Sequence, residues 1–130
     1  MGDAGRATLR VTNESKGTVL TEQARVADNV WSRFWGLMGR RSLPEGEALL
    51  ISPCSSVHTA FMRFSIDVVF LDRADRVVKV ARQLKPFRIA MGTKGAYRVL
   101  ELLAGAAERA GLEPGDQLAV TPADRRPGGP

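Results

Sequence analysis

With 130 residues and a mass of 14.1 kDa, the chain suits one domain, large enough to bury about two-thirds of its unfolded surface around a hydrophobic core. A hydrophobic fraction of 44% beside 25% charged residues is that of a soluble globular protein, and no apolar run approaches the roughly 20 residues that cross a bilayer, so no membrane partner is expected. The net charge of +5 favours acidic partners in general, while one cysteine and one histidine exclude an internal disulfide and make a metal cluster within one chain unexpected; no metal and no cofactor is predicted.

The N-terminal MGDAGRATLR carries charge and no apolar core of a secretory signal, so a cytoplasmic location is the default expectation. Leu9 and Val11 alternate with polar neighbours, NESKG at 13–17 offers a turn, and Val19 to Val26 resumes an extended pattern, which predicts a hairpin. Asp28 can cap a short helix over DNVWSRFWGLMGR, where Val30, Phe34 and Leu37 or Met38 recur at helical spacing and Gly39 stands where a helix stops. Ala48–Ile51 reads as a buried strand ended by Pro53, and Cys54 to His58 as a loop. Ile66–Leu71 (IDVVFL) is the clearest strand, β-branched and nearly all apolar, and is expected to be central. RADR at 73–76 turns into Val77, Val78 and Val80; Tyr97–Leu102 gives a further strand; Ala104–Ala110 reads as a short helix closed by Gly111. Pro114-Gly115 turns into a last strand, Gln117–Val120, and residues 121–130 read as a disordered Pro/Gly-rich tail after a domain of residues 1–120.

Several strands without regular β-α alternation predict a mainly β fold: a single-domain antiparallel β-sandwich or partly closed barrel with two short helices. The glycine-bounded GLEPGDQLAV unit keeps a double-psi-like barrel as the alternative.

The ordered blocks RFWGLMGRRSL, CSSVHTAFMRFSIDVVFLD, LKPFR, VLELLAG and GLEPGD resemble the DUF192 (UPF0127) family over about Arg33 to Val120. The resemblance implies a compact, mainly β domain in bacteria and archaea and supplies no activity. Two departures from the family pattern are Ser65, where a proline is usual before the Ile-Asp pair, and Leu103, where the familiar run reads Leu-Pro-Ala-Gly.

Candidate site residues crowd at the mouth of the IDVVFL strand. Cys54 and His58 are four residues apart, a pairing that suits an imidazole-activated thiolate, although a lone cysteine is more often a small buried hydrophobe. Arg63 and Asp67 share a face if the chain is extended there: Arg63 can offer a planar fork to a carboxylate or phosphate with Asp67 holding it, or the two can form a partly buried ion pair. Strand alternation turns Glu101 away from Leu100 and Leu102 and so toward solvent, and Asp116 is expected to bond its own turn. The basic group Lys79, Arg82, Lys85 and Arg88 reads as a solvated face. The sequence reading is therefore a non-catalytic binding module for a small anionic or polar ligand at a pocket formed by His58, Thr59, Arg63 and Asp67. A small Cys54/His58 hydrolase-like enzyme is the alternative. Third comes nucleic-acid binding through the aromatic-basic runs Phe61, Arg63, Phe64 and Lys85, Phe87, Arg88, since these rings are needed for the core and nucleic acid is not the expected partner.

Overall fold

A computed structural model describes residues 8–27, 46–59 and 64–123. The helix expected after Asp28, together with Phe61 and Arg63, lies outside the described residues. Among the described residues nine strands form: β1 (Leu9–Asn13), β2 (Thr18–Ala27), β3 (Glu47–Ile51), β4 (Ser56–His58), β5 (Ile66–Leu71), β6 (Val77–Leu84), β7 (Ile89–Met91), β8 (Arg98–Leu103) and β9 (Leu118–Pro122). A short helix, α1 (Ala106–Arg109), precedes β9. Seven strands make one curled sheet in the order β6-β5-β8-β3-β2-β1-β9, and β4 pairs with β7 in a separate two-stranded ribbon. Neighbours are antiparallel except for β2 and β3, which run parallel.

The sheet's two edges meet at one end. Arg76, just before β6, bridges Gln117, just before β9; the Val77 amide donates to the Asp116 carbonyl at 2.9 Å, and the Leu118 amide to the Asp75 carbonyl at 3.0 Å. This makes the fold a partly closed β-barrel. Asp116 secures the closure: Oδ2 accepts hydrogen bonds from Asn13 Nδ2 (2.8 Å), Lys16 Nζ (2.9 Å) and the Glu113 amide (3.0 Å), tying the β1–β2 turn to the turn before β9. Burial opposes ionisation of this carboxyl, but the hydrogen bonds from Lys16, Asn13 and the Glu113 amide outweigh it and hold the group below its ordinary range.

The inner face carries Val11, Leu20, Leu50, Val69, Leu71, Leu100, Leu102 and Leu118, sealed by Ala107 of α1 and Leu112. The outer face of β3, β5 and β8 carries Leu49, Ile51, Ile66, Val68, Phe70 and Val99, and the β4–β7 ribbon lies on it through Val57 and Ala90. Every residue of IDVVFL is buried because β5 is covered on both sides, which explains a run without alternation. β5 is an interior strand but stands second from the sheet edge, and β3 holds the middle. The ribbon approaches closely at Gly92: a Cβ there would lie 2.5 Å from Ala96 Cβ and 2.9 Å from Phe70 Cδ1.

Asp67 lies on β5 among these apolar residues, fully buried. Its Oδ1 accepts the Gln83 amide at 2.7 Å, and Oδ2 accepts the Gly105 and Ala107 amides at 3.0 and 2.9 Å. Gln83 has φ +51° where β6 takes an extra residue against β5 between Ile66 and Val68, so the first bond pins a bulge. The other two cap α1 from across the sheet, because its own N-cap, Gly105, has no side chain.

Asp67→Ala strands these three amides, and with each buried orphan donor costing about 1–3 kcal/mol the expected loss is about 3 kcal/mol or more. A urea midpoint unchanged from the parent protein would refute this role. Gly92→Ala, which forces Phe70 or the ribbon to shift, is expected to cost about 1–3 kcal/mol in the same assay.

Candidate functional site

The ribbon that covers the outer face also carries the segment singled out in the sequence. β4 contains His58, which pairs with Ile89 of β7. Cys54 precedes β4; it is half-buried against the outer apolar cluster, its amide donates to the Tyr97 carbonyl at 2.7 Å, and its Sγ lies 3.1 Å from the Ser56 carbonyl as donor. The loop expected at Cys54–His58 thus ends in a short strand, whose partner β7 lies about thirty residues downstream.

Thr59 is fully buried and its hydrogen-bonding capacity is spent on the chain before β7. The hydroxyl donates to the Lys85 carbonyl at 2.7 Å and accepts the Arg88 amide at 2.8 Å. Its amide donates to the Arg88 carbonyl and its carbonyl accepts the Phe87 amide, both at 2.9 Å. Thr59 therefore clamps the Lys85–Arg88 turn. Asp67, as described, serves Gln83 and α1. Thr59 and Asp67 accordingly act at two places, one under the ribbon and the other where β5 meets β6 and α1. Arg63 lies outside the described residues.

Sequence alternation placed Glu101 in solvent; the structure corrects this. Glu101 does turn away from Leu100 and Leu102, but the face it enters is the covered one, and it is 4% exposed. In register it stands between Leu49 of β3 and Val68 of β5, both members of the outer apolar cluster. No hydrogen bond or ion pair reaches its carboxyl among the described residues. Burial in these surroundings pushes its pKa up to about 7. A carboxyl that carries its proton near neutrality can donate a hydrogen bond as well as accept one. Sequence reading singled out Glu101 but gave it the wrong surroundings, and its acid among the apolar residues of VLELLAG was the available signal.

A concave feature opens on the inner side, a cleft of about 390 Å³ between β2, β3, β8 and α1. Leu20, Leu102 and Ala106 form its apolar wall, and Thr18, Glu47 and Arg109 supply polar groups. Thr18 Oγ1 is already bonded to the Ala110 carbonyl at 3.0 Å.

Comparison with known proteins matches residues 11–120 to the family DUF192, described as "Uncharacterized ACR". A UPF0127 protein of Pyrococcus furiosus is 36% identical over 111 residues, which cover 82% of this chain and 93% of that one. A UPF0127 protein of Pyrococcus horikoshii is 36% identical over 113 residues, covering 83% and 96%. Among solved structures, a protein of unknown function from Novosphingobium aromaticivorans superposes with a TM-score of 0.75 at 23% identity, over 88% of this chain and 84% of the other. These structural likenesses speak to the fold. The match over nearly the whole described barrel, with relatives above 30% identity, shows that the chain belongs to the DUF192 (UPF0127) family.

Proposed function

We infer that the protein is a non-catalytic binding domain for a small polar ligand, including carboxylic and other oxyacids, received on the outer face of the barrel beside the β4 ribbon. Glu101 carries this reading. A buried carboxyl without a partner destabilises the fold it sits in, and such groups recur where a ligand supplies the missing hydrogen bond. A protonated Glu101 donates to a ligand oxygen, and His58 and Arg63, singled out in the sequence, are the candidates for the remaining polar contacts and for an anionic group. Cys54, half-buried and with its sulfur directed to the Ser56 carbonyl, is assigned no chemistry.

The linkage gives a stability signature. Glu101 has an ordinary pKa of 4.5 when unfolded and about 7 when folded, so the folded state holds the extra proton between those values. Its contribution is neutral below pH 4.5, becomes increasingly destabilising as pH rises to 7, and levels off above that, reaching about 3 kcal/mol. Glu101→Leu is therefore expected to stabilise the protein by about 2–3 kcal/mol at pH 8 and by much less at pH 4, read from urea titrations at both values. Equal or lower stability at pH 8 would show that the carboxyl is already satisfied.

Ligand binding is tested by thermal shift with a panel of carboxylates, phosphates and sugar acids. A member present at about 100 times its dissociation constant stabilises the fold by about 2.7 kcal/mol. That shift is expected to vanish in Glu101→Leu, to weaken as pH rises past 7, and to persist in Arg109→Ala and Cys54→Ser. Loss in Arg109→Ala with retention in Glu101→Leu would move the site to the inner cleft. A shift abolished by Cys54→Ser, with product formation, would favour the hydrolase reading.

A further inference from the structure

We propose that the ridge formed by Phe87, Ile89 and Met91 docks this protein on an anionic lipid surface. Ile89 and Met91 alternate on β7 about the buried Ala90, Phe87 stands in the turn just before that strand, and the three side chains are 71%, 61% and 73% exposed respectively. Such exposure means that they project from the surface; residues lining a groove would be half-covered. An apolar ridge costs solvation in water, and its shape suits insertion into a soft interface better than reception of a peptide.

The ridge is also held out by the fold. Phe87 has φ +62°, an unfavourable backbone for a bulky residue, and the buried Thr59 keeps it there through hydrogen bonds to Lys85, Phe87 and Arg88.

Charge selects the partner. From Val77 to Leu100 the chain carries six basic residues and no acidic one, more positive charge than the net +5 of the whole protein. Arg82 and Arg98 are engaged, with the Leu112 carbonyl and with Asp75. Lys85, Arg88 and Lys94 are exposed on either side of the ridge, and Lys79 places its ammonium 2.6 Å from the Met91 carbonyl. None of these four forms an ion pair among the described residues. Cations beside projecting apolar groups match the phosphate and hydrocarbon layers of an anionic leaflet. A second copy would bring the same positive belt against itself, and two of the three ridge side chains are aliphatic and offer no stacking platform for bases. The absence of a membrane-spanning segment, from which no membrane partner was expected, does not bear on attachment of this peripheral kind.

Co-sedimentation of the full chain with vesicles of phosphatidylcholine alone, and of phosphatidylcholine mixed with phosphatidylserine, tests the proposal. Binding to the mixed vesicles is expected at low salt and is expected to fall as salt rises, with each surface cation worth about fivefold in partitioning. Phe87→Ser with Ile89→Ser is expected to lower binding by about tenfold or more, and Lys85→Glu with Arg88→Glu to do the same, both with an unchanged melting temperature because all four side chains are exposed. Absence of binding to phosphatidylserine vesicles, equal binding to phosphatidylcholine alone, or undiminished binding by the Phe87/Ile89 variant would overturn it. So would retention on immobilised polyglutamate without any vesicle binding, which would assign the ridge to an acidic protein.

Discussion

The barrel depends on one buried carboxylate. Asp67 accepts three backbone amides, one from a bulge in β6 and two from the start of α1, and it does so from the interior of a strand covered on both faces. A four-residue helix has no stability of its own, and a bulge leaves a strand amide without a ladder partner. One side chain answers both needs. With α1 fixed, Ala107 and Leu112 close the inner core; with the bulge fixed, β6 follows the curl that brings Arg76 to Gln117. The Asp116 network then locks the same end from the other edge.

A sheet covered on both sides makes any polar group within it costly, and two acids of this barrel meet that cost differently. Asp67 is satisfied by the backbone and is structural. Glu101, flanked by apolar side chains of the neighbouring strands, has no partner among the described residues and keeps its proton to near neutrality. The contrast separates a carboxylate that builds the fold from a carboxyl that the fold maintains at its own expense, and it is the reason a ligand is sought beside Glu101.

The ribbon links the two proposed surfaces. Its inner side, Val57 and Ala90, roofs the face that carries Glu101; its outer side presents Phe87, Ile89 and Met91. Thr59 stands between them, with its hydroxyl turned to the Lys85–Arg88 turn. Contact of the ridge with a surface would therefore act on the cover of the ligand face.

Much of the fold was legible in the sequence because its signals are local: the hairpin at Asn13–Gly17, the uninterrupted IDVVFL, the helix before Gly111 and the turn at Pro114-Gly115 all depend on neighbours in the chain. The succession of short strand patterns without regular β-α alternation likewise determined by itself that the fold is mainly β. What only the tertiary structure decided are the pairings across long separations. β4 meets β7 some thirty residues away, and that ribbon covers a face that alternation alone assigns to water, so Glu101 changes from a surface charge to a buried acid. Asp67 and Thr59, which belong to one motif in sequence, each bond backbone groups brought in from elsewhere, because a buried oxygen bonds whatever amide the fold delivers to it.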